Sequence, residues 1–266
     1  KALGFNNIFG GVGIGLGALL AGILIDQYSW HAAFILPGVI SLLIGIGLIW
    51  HIQSNQISLK NIVSGKFSEN PERSQYLKIA IIMLISITCL SFVFQILQTS
   101  LPKTMDIRLS ASMDLSTSEI GYIVSAIYVV SGLMNYVGGI LADKYSEKII
   151  YAIGIIGQGC LLLLIISLSN YWLIAICLII VAFNSSILPA ENLLLARFAP
   201  EKYQSLVYGI KFIISFSVGP IALILISKSY ELTNEFSYLY LASGVIMLLL
   251  FMVVLTLPVK KQALAA

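Results

Sequence analysis

The sequence predicts an all-α protein that lies in a membrane and crosses it about eight times. Three observations carry that prediction. The 266 residues are 59% hydrophobic and only 10% charged, with a mean hydropathy of +0.97, far from the balance of a soluble domain. Apolar stretches long enough for a helix to cross the hydrocarbon core, about 20 residues each, follow one another with short polar breaks. They are rich in Leu, Ile, Gly and Ala without strict alternation, which favours helices over barrel strands.

In chain order the spans are 5–25, 31–52, 78–101, 119–141, 148–168, 171–192, 206–227 and 236–258. The first is crowded with Gly10, Gly11, Gly13, Gly15, Gly17 and Gly22, residues that permit close crossing of a neighbouring helix. The second runs into HIQSNQISLKNIVSGKFSENPERSQYLK (51–78), the longest hydrophilic segment and the one domain boundary, read as a loop over 53–77. The third and fourth carry polar residues at helical spacing, and the sixth carries Asn184 and Glu191. The seventh contains Lys211 and the bend-prone pair Gly219-Pro220.

An even number of spans puts both termini on one side, and Lys and Arg accumulate in cytoplasmic loops. Lys1, Lys60, Lys66, Arg73, Lys78, Lys144, Lys148, Arg197, Lys202, Lys260 and Lys261 fall on one face, against Lys103, Arg108 and Lys228 on the other. Both termini are therefore expected in the cytoplasm, in a plasma membrane such as the bacterial inner membrane. The net charge of +3 is this loop bias and gives no warrant for nucleic-acid binding. Cys89, Cys160 and Cys177 fall inside spans with no paired spacing, so neither a disulfide framework nor a metal site is implied. No cofactor is implied either.

A shift of 205 positions lays the first helix pair on the last, aligning Gly4 with Gly209, Asn6 with Lys211, Asp26 with Glu231 and Phe34 with Leu239. Parallel six-helix repeats joined by a cytoplasmic loop build transporters around a midplane site.

Between the fourth and fifth spans lies GGILADKYSEK (138–148). Its Gly139-x-Leu141-Ala142-Asp143-Lys144-x-x-x-Lys148 resembles the signature loop of the major facilitator superfamily, Gly-x-Leu-Ala-Asp-Arg-x-Gly-Arg-Lys, with Ser146 where Gly is usual and Glu147 where Arg is usual. Ser118-Glu119-Ile120-Gly121 and Trp30-His31-Ala32-Ala33-Phe34 resemble the starts of the family's eighth and sixth helices. The antiporter motif of the family is not matched by Gly13-x-Gly15-x-Gly17. The resemblance implies a helical bundle lacking its first four helices. On that reading 1–52 holds the last two helices of the N-terminal half, 53–77 the central loop and 78–266 the six-helix C-terminal half. The missing N-terminal helices would then be partners of this chain, along with the lipid bilayer.

The resemblance also implies a cytoplasmic latch. Gly139, Asp143, Lys144, Lys148 and Arg197 form the expected gating group, with Asp143 beside the positive N-terminus of the family's fifth helix, here Ala2–Phe5. Lys144 and Lys148 would hold carboxylates or lipid headgroups. A plain positive-inside turn is the alternative.

Charges inside a bilayer cost roughly 2.5–3.5 kcal/mol at the helix centre, so polar stripes there are informative. Thr88, Ser91, Gln95 and Gln98 share one helical face, as do Gly121, Ser125, Tyr128, Gly132, Asn135 and Gly139, and Asn184 shares a face with Glu191. The resemblance places the first and third stripes on a central cavity; the second suits packing as well as lining. Lys211 and Glu191 reach similar depths and could pair, with Lys211 attracting an anion and Glu191 exchanging a proton. Snorkelling of Lys211 and a static partnership of Glu191 with Lys144, Lys148 or Arg197 are the bland alternatives. Asn6, at the repeat position of Lys211, is an uncharged candidate together with Asn7.

The expected function is secondary active transport of a small polar or anionic solute by alternating access, coupled to protons. A non-transporting receptor or assembly factor keeping the same fold is the alternative. An intramembrane enzyme is not supported: the two His residues, His31 and His51, lie at opposite ends of one span, and no nucleophile–base or paired-carboxylate arrangement occurs at mid-depth. No filter-like loop or charged ring supports a channel.

Overall fold

The computed structural model describes residues 2–55, 73–113, 115–199 and 203–258. Most of the 53–77 loop, and Lys1, Lys60, Lys66, Lys202, Lys260 and Lys261, lie outside the described residues. The described chain forms α1 (Ala2–Gln27), α2 (Ala32–Asn55), α3 (Arg73–Met113), α4 (Thr117–Lys144), α5 (Glu147–Leu164), α6 (Asn170–Phe198), α7 (Gln204–Thr233) and α8 (Ser237–Val254), with a 3₁₀ turn at Ile165–Ser167 after α5. All eight are long and apolar enough to cross a membrane.

Contacts between helices follow an up-and-down order. α1 runs antiparallel to α4: β-carbons added at Gly4, Gly15 and Gly22 would sit 2.7, 2.9 and 3.0 Å from the carbonyl oxygens of Asn135, Ser125 and Thr117. At Gly11 the backbones of α1 and α4 meet so closely that an added carbon would stand 2.8 Å from the Gly132 nitrogen. Only Gly at both positions allows this approach, which replaces side-chain packing with backbone-on-backbone contact. α3 and α7 run parallel, joined by Ser91 and Ser215 hydroxyls 2.8 Å apart. α5 runs antiparallel to α6, where Tyr151 meets Glu191, and to α8, where Lys148 meets the last turn.

The core gathers apolar side chains of α3 through α8. α2 stands apart from it, with no buried residue in its most apolar stretch, as a lipid-facing helix would have.

Several predicted spans were short: α6 runs on to Phe198 rather than 192 and α7 to Thr233 rather than 227, and α3 departs furthest. α3 passes its expected end at 101 and continues to Met113 through Pro102. Leu97, Leu101, Met105 and Leu109 recur every fourth residue, all buried, so the extension completes the core face. The charges that mimic a loop are neutralised along the helix. Lys103 pairs with Asp106 at 2.5 Å, and Arg108 folds back onto the carbonyls of Ile165 (2.6 Å) and Leu168 (3.3 Å), the Glu235 carboxylate (3.0 Å) and the Ser237 hydroxyl (2.9 Å). The signature stretch is likewise mostly helical, with only Tyr145 and Ser146 between α4 and α5.

Candidate functional site

A cavity of about 380 Å³ opens where α3, α6 and α7 converge, with Asn7 of α1 at its edge. α3 contributes Leu90, Ser91, Phe94, Gln95 and Gln98; α6 contributes Asn184, Ile187, Leu188, Glu191 and Asn192; α7 contributes Lys211, Phe212, Ser215 and Phe216. The spacings explain the convergence. Each set falls on one helical stripe, and Pro189, which breaks the hydrogen-bond ladder of α6, stands two residues before Glu191.

Its centre is a buried ion pair. The Lys211 ammonium contacts Glu191 Oε1, with side chains only 8% and 3% exposed. Lys211 Nζ also donates to Asn192 Oδ1 at 2.6 Å, while the Tyr151 hydroxyl donates to Glu191 Oε2 at 3.3 Å. The Tyr208 hydroxyl donates to the Asn192 carbonyl at 2.8 Å, tying α7 to the same turn of α6. Burial this deep separates Lys211 from the snorkelling alternative, because its ammonium points at a carboxylate rather than towards a surface. Gly219 admits the Gln95 amide to the α7 side: a β-carbon there would lie 2.9 Å from Gln95 Nε2.

Five of the predicted cavity residues, Gln95, Gln98, Asn184, Glu191 and Lys211, thus meet on one cavity. Three others do not. Asn6 is exposed, and its neighbour Asn7 takes the lining position, because α1 is oriented by the Gly4–Gly11 face on which Asn7 lies. Tyr128 and Asn135 are buried within the packing of α4, outside the cavity lining. α4 presses its polar and glycine stripe against α1 and α6: Gly132 meets the backbone of α1, Gly138 the backbone of Ser186, and Ser131 the Ser185 hydroxyl. Backbones at contact leave no room for a solute.

The expected gating residues divide similarly. Gly139 lies against Gly4, so the first turn of α1 sits one helical turn from Asp143. Lys144 stacks over the Tyr145 ring at 5.4 Å. Lys148 turns to the end of α8, donating to the carbonyls of Leu255 (2.6 Å) and Leu257, where exposed carbonyls attract a cation. Arg197 pairs with Glu147 at 2.9 Å, not with Glu191. Where the family motif carries Arg, this chain carries the acid, and the base comes from α6.

Asn192, Tyr151, Tyr208 and the three cavity phenylalanines went unread in the sequence. Asn192 follows Asn184 by eight residues on the stripe that holds Glu191, a spacing that could have found it. The phenylalanines carried no signal, since aromatic residues in a span read equally as lipid-facing. Among the described residues no cluster of three or more His, Cys, Asp or Glu could hold a metal ion.

The sequence profile of the Major Facilitator Superfamily matches residues 1–113 and again residues 83–265, so that residues 83–113 of α3 fall in both matches. The chain belongs to the major facilitator superfamily. It is an integral membrane protein of this superfamily of transporters, and its cavity is one formed among membrane-crossing helices. No curated protein matches the chain significantly.

Proposed function

We propose that this protein is a secondary active transporter that moves a small polar or anionic solute by alternating access, driven by protons. In this reading α1 to α8 take the places of the superfamily's fifth to twelfth helices, and the end bearing Asp143 and Arg197 faces the cytoplasm. The observation that carries the proposal is the Lys211–Glu191 pair buried on the cavity. A buried ion pair is a poor way to stabilise a fold, since a well-packed apolar pair of similar volume often does as well or better. Intramembrane ionisable residues are expensive and mark substrate or proton pathways. Amides on α3 and α6 supply hydrogen bonds to a solute stripped of water. Pro189 and Gly219-Pro220 give α6 and α7 places to bend as the cavity changes sides.

Liposomes carrying the full-length protein and a trapped pH indicator test this. A monosaccharide, an amino acid and gluconate are added outside in turn. At least one class is expected to acidify the lumen in a saturable manner. Lys211→Ala is expected to abolish that signal while membrane insertion is retained, and so is Lys211→Gln combined with Glu191→Gln, which leaves no unpaired charge. A lumen that stays unchanged with every solute would favour a receptor or assembly factor of the same fold. Undiminished acidification in both variants would remove the pair from the pathway.

A further inference from the structure

We infer that the solute is a small monocarboxylate carrying an apolar group, and that Glu191 is its built-in stand-in on Lys211. This rests on the transporter reading and adds the substrate class and the proton count. The cavity holds one ammonium and one carboxylate in contact, so the site is neutral as it stands. A solute carboxylate reaches the ammonium where Glu191 now sits. Two carboxylates against one buried ammonium would leave an uncompensated charge, which a water-poor site does not tolerate. One proton taken from solvent by a Glu191 carboxylate oxygen removes the conflict. The ammonium passes from Glu191 to the solute carboxylate, and the charge of protein plus solute plus proton is unchanged, so transport is electroneutral at one proton per carboxylate.

The mirror case, a cationic solute displacing Lys211 from Glu191, requires the ammonium to lose its proton. A free carboxylate takes up a proton nearer neutrality than a free alkylammonium gives one up. The neighbours favour the same direction. Lys211 keeps a short bond to Asn192 Oδ1 that does not involve Glu191. The other partner of Glu191 is the Tyr151 hydroxyl, which keeps an acceptor, though a weaker one, in the carbonyl oxygen of a neutral carboxylic acid. The titratable groups facing Glu191 are Lys211 and Tyr208 from α7 and Tyr151 from α5, with Cys89 of α3 beyond Tyr151. From α1 the cavity beside Glu191 receives Asn7, which does not titrate.

An apolar group follows from the rest of the wall. Phe94, Phe212 and Phe216, with Leu90 and Ile187, line the same space as the charges. A small inorganic anion would leave these surfaces unfilled, whereas an aryl or alkyl group would cover them.

Calorimetric titration of the purified full-length protein in detergent at pH 7 tests the inference, run in two buffers of different ionisation enthalpy so that protons are counted. The probes are benzoate and hexanoate, with benzamide as the uncharged control and benzyltrimethylammonium as the cationic one. At least one carboxylate is expected to bind with uptake of about one proton, and both controls at least tenfold more weakly. Glu191→Gln should bind the same carboxylate with no proton uptake, and Lys211→Gln should lose binding. Carboxylate binding without proton uptake in the wild type, loss of binding in Glu191→Gln, or binding of neither carboxylate would overturn the inference. If monosaccharide or amino acid acidifies the liposomes above while both carboxylates fail to bind, transport stands and the substrate class falls. Liposomes that benzoate acidifies no faster than protein-free ones and that stay silent to the other solutes, together with proton-linked benzoate binding, would keep the site and remove transport.

Discussion

The α1–α4 seam and the α6–α7 contact solve opposite problems with helices of similar composition. Both α1 and α7 are glycine-containing and apolar, and the repeat alignment lays one on the other. Yet α1 meets α4 through Gly4, Gly11, Gly15 and Gly22, backbone against backbone, with Asp26 closing the seam at the end of α1, where its carboxylate accepts from the Ser118 amide N–H at 2.7 Å. α7 meets α6 through Lys211, Tyr208, Glu191 and Asn192, and a cavity opens beside them. Small residues make a contact that excludes everything else, whereas long polar side chains hold backbones apart and leave volume that a ligand can enter.

The largest effect is expected where a charge is stranded. Lys211→Ala leaves Glu191 buried without its cation, which costs about 3–5 kcal/mol when one partner of a buried pair is removed. Replacing both, as Lys211→Met with Glu191→Leu, should recover most of that loss, because no ion remains to be desolvated. Unfolding in mixed micelles measures both variants. Equal destabilisation in the single and the double variant would mean that the contact works by shape rather than charge.

The glycine seam should respond to volume instead. Gly11→Leu and Gly132→Leu drive a side chain into a facing backbone that cannot yield as a flexible side chain would, at about 1–3 kcal/mol for overpacking. Gly10→Ala, on the open side of the same helix, meets nothing within 4 Å. It should be neutral or stabilise by about 0.5–1 kcal/mol through helix propensity. Thermal midpoints of the three variants check this. Similar losses at Gly10 and Gly11 would show that helix propensity, not the seam, governs α1.

Hydropathy made the spans legible, because desolvation cost accumulates residue by residue and needs no knowledge of neighbours. The Lys211–Glu191 pairing was legible as a matching of depth. What stayed hidden depends on helix rotation and on partners distant in sequence. Asn6 and Asn7 differ by about 100° around α1, and the choice between them is made by α4. The α3 extension was hidden because Pro102, Lys103, Asp106 and Arg108 read locally as a loop, while the groups that accept Arg108 lie more than fifty residues away. The stripe on α4 was equally suited to packing and to lining until the facing glycines of α1 were located.

A second Arg/Lys–Glu contact sharpens the comparison by differing in exposure. At the end opposite the signature stretch, Arg108 holds Glu235, but that carboxylate is 40% exposed, against 3% for Glu191. A hydrogen bond from Ser237 is the largest influence and depresses the pKa of Glu235 below its ordinary 4.5; burial opposes it, and the hydrogen bond and charge of Arg108 add smaller depressions. A depressed folded-state value means stability that is complete above the unfolded pKa and is lost as pH falls through the folded one. Glu235→Gln should therefore lower the melting midpoint at pH 7, and the gap to wild type should close progressively below about pH 4.5. Water screens the Glu235 side of this pair, so the gap should be smaller than the losses at Lys211 and Gly11. A gap that persists undiminished to pH 3 would show that Glu235 acts through geometry at the start of α8 and not through its charge.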